Sequence, residues 1–444
     1  MKEEEKKKKK KKTANEQEAK ERKPNWREYH ATVEDIEQYL SDHILLRHNV
    51  LTGRVECRVL KGDLFDAWIA EGLPTDRWID ISDRIVNTLW RGLSKIKKSK
   101  ADDIRRVIES NFSPDYHPFR YYLEHLPQWD GQDHILAMSV SVQVKGGVDE
   151  QMRFAEYLKK WLVGMVAGWV DAEVVNNVIL VLIGEQGSYK TTWFSRLLPP
   201  PLQQYFRIKT NSSRMTKDDL LVLSEYGLVC YEELETMRPS ELNQLKAAVT
   251  MPSVDERRPY GHYTEHRQHI ASFCGTGNSM QFLSDPTGNR RWLPFEVESI
   301  EPPQDHPLDY DAIYSQAYAL YCQGFRYWFS RDEIIRLAEH NQQFETPRLE
   351  KELVQLYFRV PVGQEQGEFM PVGLALQMVG AGITQKLSPV QLGRAFVELG
   401  FERRTSRNIR GYVVVCRSAE EMRSLRSMMA LPETNTDTDD TDVF

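Results

Sequence analysis

The chain is 444 residues long, with 41% hydrophobic and 28% charged residues and a formal net charge of −7. At about 100–200 residues per domain this length holds two to four domains, and the apolar share is enough to bury a real core, which excludes a lone small binding module and a wholly disordered chain. The acidic balance excludes a uniformly basic surface, so local charge carries the information.

Residues 2–23 are almost all Lys, Glu, Arg and small polar types, and the end from Pro432 reads PETNTDTDDTDVF. Segments 1–24 and 419–444 are therefore expected to be disordered tails, and the lysine run Lys6 to Lys12 reads first as a solvated tail and second as a nucleic-acid contact. No apolar run approaches the roughly 18–20 residues that span a bilayer, and MKEEEKKKKKKK lacks the apolar core of a signal peptide. A cytoplasmic protein with no membrane partner is expected. The five cysteines (Cys57, Cys230, Cys274, Cys322, Cys416) are far apart and show no C-x-x-C pairing, so reduced, mostly buried thiols are expected in place of disulfides or a zinc ribbon.

Residues 25–140 read as an N-terminal α+β adaptor region. VEDIEQYLSDHILL and ISDRIVNTLWRGL have helical spacing, and VLTGRVECRVL carries a hairpin turn at Thr52-Gly53. Pro114, Pro118 and Pro127 then punctuate the chain before Trp129-Asp130-Gly131. Residues 141–300 form the informative core. RFAEYLKKWLVGMVAGWV predicts a long helix, and VVNNVILVLIG a buried parallel strand.

Directly after that strand comes GEQGSYKTT, residues 184–192, followed by the short helix-like WFSRLL. Gly184 and Gly187 let backbone N–H groups curl around phosphates; Lys190 reaches them, and the Thr191 hydroxyl at the helix start suits Mg²⁺. Ser188, Tyr189 and Thr192 complete the candidate phosphate loop, with Tyr189 standing where the commoner pattern has glycine. About forty residues on, YGLVCYEELE ends a strand in acid. Glu232 is assigned to the metal and Glu233 to the attacking water, with Glu235 in reserve. HIASFCGTGN predicts a third strand ending at Asn278, placed to orient that water. In SDPTGNRRWLPFEV, Arg290 and Arg291 lie in a turn and suit a phosphoryl-transfer transition state, from the same chain or a neighbouring one. Between these, DERRPYGHYTEHRQH interleaves Arg257, Arg258 and Arg267 with Tyr260 and Tyr263, a pattern that suits a hairpin tracking a nucleic-acid backbone.

Residues 301–360 read as a helical extension. In residues 361–418, FMPVGLALQMV, SPVQLGRAFVELGF and RRTSRNIRGYVVVCR read as helix, helix and basic two-strand ribbon, the order of a winged helix, with Arg403, Arg404, Arg407 and Arg410 on the wing. A protein-contacting or purely structural module stays open beside a DNA-contacting one.

Taken in order, FRYYLEHLPQWDG, VLIGEQGSYKTT, YEELE, RRPYGHYTEHRQHIASFCGTGN and DPTGNRRWLPFEV resemble the virulence-associated protein E family. These are P-loop ATPases of phages, plasmids and genomic islands, related to superfamily 3 helicases and the helicase part of primase-helicases. The resemblance covers about Asn111 to Val297. It implies an α/β fold with an AAA+-like ATPase core and a homo-oligomeric ring. Lys190 and Thr191 match the family's nucleotide-binding lysine and hydroxyl, Glu232 or Glu233 its acidic motif, Asn278 its polar sensor, and Arg290 or Arg291 its arginine pair. The expected activity is that of an ATP- and Mg²⁺-dependent motor on single-stranded or forked DNA, a replicative helicase of a mobile element, with any primase a separate chain. Two other classes stay open: a nucleotide-regulated DNA-binding or assembly ATPase that does not unwind, and an adaptor whose loop has decayed.

Overall fold

The computed structural model describes residues 29–60, 62, 64–209, 217–256, 263–283, 289–346, 348–381, 383, 387–406 and 409–429. The charged segment 1–24 and the acidic end from Pro432 lie outside them. The chain divides into two compact units, Met1–Met280 with Thr287–Asn341 and Gln281–Pro286 with Gln342–Phe444.

The larger unit begins with helix α1 (Val33–His43), started by a capping box between Thr32 and Asp35. The helical reading of VEDIEQYLSDHILL overran here: the chain turns extended at Ile44, and strand β1 (Ile44–Asn49) pairs antiparallel with β2 (Arg54–Val59) through a turn whose Gly53 has φ 62°. Helix α2 (Asp66–Ala70), strand β3 (Ile79–Asp80), helices α3 (Asp83–Leu93) and α4 (Ala101–Ile108), and strand β4 (Asp115–Tyr116) complete this part, in a sheet ordered β3-β2-β1-β4. Leu40, Cys57, Leu89 and Ile104 close its core.

A second sheet carries the rest of the unit. Helices α5 (Pro118–Glu124) and α6 (His134–Ser139) lead into strand β5 (Val142–Val144) and the 24-residue helix α7 (Gly147–Val170). From Phe154 onward α7 is buried on nearly every side, as its sparse polarity requires, and Trp161 and Trp169 donate their indole N–H groups to the carbonyls of Phe273 and Gly227. Then follow β6 (Ile179–Ile183), α8 (Lys190–Ser195), β7 (Phe206–Lys209), α9 (Lys217–Glu225), β8 (Leu228–Tyr231), α10 (Pro239–Val249), the hairpin β9 (Ser253–Glu256) and β10 (Glu265–Gln268), β11 (Ser272–Gly277), β12 (Trp292–Ile300), α11 (Tyr310–Cys322) and α12 (Arg331–Asn341). The strand order is β5-β12-β6-β11-β8-β7, parallel throughout except for β5 on β12. This is an α/β fold with a mixed sheet. Phe119 stacks on Trp169 at 4.3 Å, so α5, grouped by sequence with the adaptor region, belongs to the core of the large sheet.

In the smaller unit, α13 (Leu349–Tyr357) and β13 (Phe358–Arg359) precede β14 (Glu368–Pro371), α14 (Val372–Gly380), α15 (Pro389–Glu398), β15 (Arg403–Ser406), β16 (Ile409–Cys416) and α16 (Ala419–Met429). β16 pairs with β13, β14 and β15. Two boundaries read from sequence shift. The stretch 301–360 divides after Asn341 between the units. Residues 419–429, grouped with the acidic tail, are helical, because Ser418 and Glu421 cap the start reciprocally. Among the described residues all five cysteines are free; Cys57, Cys230 and Cys274 are buried, whereas Cys322 and Cys416 are exposed. No helix among them is long and apolar enough to cross a membrane.

Candidate functional site

β6 is apolar and buried along its whole length because it runs in the middle of the sheet, between β12 and β11. The glycine loop leaves its carboxyl end. Gly184 donates to the Gly277 carbonyl at 3.1 Å, and a Cβ at Gly184 would stand 3.2 Å from the Val297 carbonyl oxygen, a close approach that glycine permits. The loop turns through the left-handed region at Gly187 (φ 84°) and again at Tyr189 (φ 62°). Tyr189 thus adopts the backbone for which glycine is the ordinary residue, and α8 starts immediately after it.

Lys190 is buried at 6% exposure. Its ammonium donates to the carbonyls of Gly184 (2.8 Å) and Glu185 (2.6 Å) and to Ser188 Oγ (3.1 Å), and lies 3.5 Å from Asn278 Oδ1. Burial pulls its pKa below the ordinary lysine value, against the opposing charge of Glu235. Among the described residues it forms no ion pair, so its charge is held by neutral oxygens.

The next residue, Thr191, donates its hydroxyl to Glu232 Oε1 at 2.8 Å. Glu232 and Glu233 follow the end of β8, the second neighbour of β6. Glu233 is in the left-handed conformation (φ 53°), and the chain then tightens into the turn Leu234–Thr236. Leu234 packs under β11, where a Cβ on Gly275 would meet its Cδ1 at 2.5 Å. Glu235 accepts the Asn278 backbone N–H at 3.0 Å, and its Oε2 is buried with no partner among the described residues. Glu232 is therefore held by the loop hydroxyl, Glu235 by the backbone of Asn278, and Glu233 faces the cleft. That cleft encloses about 410 Å³ between Gln186–Thr192, Glu232, Glu233, Thr276 and Asn278. Gln186 and Thr276 line it although the sequence singled out neither; Gln186 adjoins Gly187, and Thr276 lies two residues before Asn278 in the same motif.

Other predicted residues lie elsewhere. Arg291 immediately precedes Trp292, and Trp292 pairs with Ile179, the first residue of β6, while the loop follows Ile183, the last. Since the strands are parallel, Arg290 and Arg291 lie at the opposite end of the sheet, roughly 16 Å away along the strand at about 3.3 Å per residue. They line a separate cleft with Trp328 and Tyr327. Arg267, expected on the nucleic-acid hairpin surface, is instead 7% exposed, bonded to the Leu51 carbonyl and to Glu225. It sits on the β10 face that packs inward, whereas Tyr263 before the strand is exposed. Arg257, Arg258, Tyr260 and Arg407 lie outside the described residues. Arg403, Arg404 and Arg410 are exposed on the β15–β16 ribbon. No group of three or more His, Cys, Asp or Glu among the described residues is placed to hold a metal ion.

A central parallel strand feeding a glycine loop, a buried lysine at the start of the next helix and a hydroxyl joined to a carboxylate at a nearby strand end define a P-loop nucleotide-binding protein. Residues 123–346 match the Virulence-associated protein E-like domain, and the chain belongs to that family. No curated protein matches the sequence. Among solved structures, the apo structure of NrS-1 C terminal region (305-718) is similar at 12% identity and a TM-score of 0.47, with 86% of this chain and 98% of that chain covered. The A form apo structure of the same region gives 12% identity, a TM-score of 0.44 and the same coverage.

Proposed function

We propose that this chain is an ATP-hydrolysing motor with an AAA+-like core that acts on DNA. The observation that carries the reading is the meeting of Lys190, Thr191, Glu232, Glu233 and Asn278 in one cleft at the carboxyl ends of β6, β8 and β11, where open α/β sheets bind their ligands. Lys190 suits the phosphates because its buried ammonium is bonded to neutral oxygens and forms no ion pair among the described residues. Thr191 and Glu232 offer the hydroxyl and carboxylate oxygens that a hard cation such as Mg²⁺ takes, with the remaining positions left for water and phosphate. When bound, Mg²⁺ would neutralise charge on the phosphate oxygens. Glu233 takes the proton of the attacking water, Asn278 orients that water through its side-chain amide, and Glu235 positions Asn278.

Arg290 and Arg291 are too far from their own loop to reach its phosphates. In this reading they serve the nucleotide of a neighbouring copy in a ring, where a guanidinium stabilises transition-state charge. The exposed Arg403, Arg404 and Arg410 contact DNA phosphates, which suits movement along a strand as the nucleotide state changes.

Hydrolysis of ATP by the purified chain with Mg²⁺, with and without single-stranded DNA and beside Lys190→Ala, tests the proposal. DNA-stimulated hydrolysis that vanishes in the variant supports it and calls for a strand-displacement assay. Full hydrolysis by Lys190→Ala overturns it, and hydrolysis indifferent to DNA replaces the motor with an assembly ATPase.

A further inference from the structure

The connection between α3 and α4 carries a run of cations. Residues 91–100 read RGLSKIKKSK, with five cations and no acid. The loop is fixed from several sides. Trp90 donates its indole N–H to the Ser99 carbonyl at 3.0 Å, and the hydroxyls of Ser94 and Ser99 meet at 3.0 Å. The N–H groups of Ile96 and Lys97 both return to the Leu93 carbonyl at 2.9 Å. Lys97 reaches both oxygens of Asp35 at 2.8 Å, which spends that one lysine internally. Lys98 exchanges backbone bonds with the segment before α1, donating to the Tyr29 carbonyl at 3.0 Å and accepting from Ala31 at 2.9 Å.

The other cations are not used this way. Arg91, Lys95, Lys98 and Lys100 are exposed and form no ion pair among the described residues. Between and beside them stand Ile96 at 71% exposure, Tyr29 at 64% and Trp90 at 39%. A cation near the carboxyl end of α3 has a structural account in the helix dipole, which covers Arg91 and Lys95 but neither Lys98 and Lys100 nor the aromatic rings. Cations carried on a held loop beside exposed rings are what a phosphate backbone with unstacked bases requires. An acidic peptide would use the charges and leave the ring faces idle.

We propose that this loop, with Tyr29 and Trp90, is a docking surface for single-stranded DNA that works without nucleotide. It shares no residue with the ATP cleft, and would hold the strand through steps in which other contacts let go.

The test is the anisotropy of a labelled oligo-dT titrated with the full chain, without ATP, over a range of KCl concentrations. Neutralising three lysines together (Lys95→Gln, Lys98→Gln, Lys100→Gln) is expected to weaken binding about tenfold or more at low salt and to flatten the log–log salt slope by about 2, near 0.7 per lost contact. Tyr29→Ala is expected to weaken binding about fivefold to tenfold with the slope unchanged, because stacking carries no counterions. Neutralising the exposed Arg77, Arg331 and Arg336 to Gln removes the same net charge elsewhere and should leave both quantities unchanged. Unaltered binding in the lysine variant, or an equal loss in the arginine control, overturns the proposal. So does tight binding of polyglutamate in place of oligo-dT, which would assign the loop to an acidic protein. All variants should keep the thermal melt and basal ATP hydrolysis of the parent. With no nucleotide present, the outcome is independent of whether the chain hydrolyses ATP.

Discussion

The Thr191 hydroxyl donates to Glu232 Oε1 at 2.8 Å, joining the first turn of α8 to the chain just after β8. Two residues that hold one another in this way act as a unit. Thr191→Val and Glu232→Gln should each lower ATP hydrolysis about 10–100-fold, and the double variant should be little worse than either single one. Steady-state rates over a Mg²⁺ titration check this; strictly multiplicative losses would mean that the two side chains work independently.

The three acidic residues after β8 should separate by readout. Glu233→Gln is expected to lower kcat about 100-fold to 10,000-fold with ATP binding kept, as for loss of a general base. Glu235→Ala should cost about 1–3 kcal/mol of stability through the lost bond to the Asn278 N–H. Equilibrium denaturation beside nucleotide-binding titrations distinguishes them, and the assignment fails if the two variants exchange these phenotypes.

Tyr189 holds a left-handed backbone, with φ 62°. Non-glycine residues adopt it at a cost of about 1–2 kcal/mol, partly offset by the larger freedom glycine has in the unfolded chain. Tyr189→Gly should therefore raise stability by up to about 1 kcal/mol and still bind ATP. A lower melting temperature would show that the tyrosine ring contributes more than the backbone costs.

His117 gives a dependence on pH. Its Nδ1 accepts the Arg120 N–H at 3.3 Å as the cap of α5, a role open to the neutral ring. Burial, helped by the Arg120 charge, pulls its pKa from 6.5 to about 4. A depressed folded pKa stabilises above the unfolded value and loses that contribution as pH falls towards the folded one. Stability should drop between about pH 6.5 and pH 4, and His117→Asn, which keeps the cap, should lose that part of the slope. Urea midpoints across the window decide it.

Gly227 precedes β8, and a Cβ there would stand 2.2 Å from Phe119 Cζ. The ring is pinned against Trp169 at 4.3 Å and against Tyr205 at 5.3 Å, so it has nowhere to move. Gly227→Ala should destabilise by about 1–3 kcal/mol as an overpacked core. A melt like that of the parent would show that the ring can yield.

Much of the cleft is legible in sequence because its parts are local. A fully apolar strand, a glycine loop and a polar residue at a strand end each read within about ten residues, and parallel pairing then brings Lys190, Glu232 and Asn278 together. What depends on direction is not legible. Asn278 follows β11 and Arg291 precedes β12, so residues close in sequence stand at opposite ends of one sheet. Arg267 follows the same rule at smaller scale: charge predicts exposure, but strand alternation turned this side chain inward to the Leu51 carbonyl. The division after Asn341 also escapes local reading, since that side chain is buried by bonds to the carbonyls of Asn289 and Trp292, about fifty residues back.

Lys190 in this structure is solvated by its own loop, through the carbonyls of Gly184 and Glu185. Those two oxygens occupy the ammonium much as phosphate oxygens would, so nucleotide enters by displacement and its affinity is a difference between two sets of bonds. Substitutions that leave every nucleotide contact intact but loosen the loop's hold on Lys190 should therefore tighten binding, and those that strengthen the internal set should weaken it.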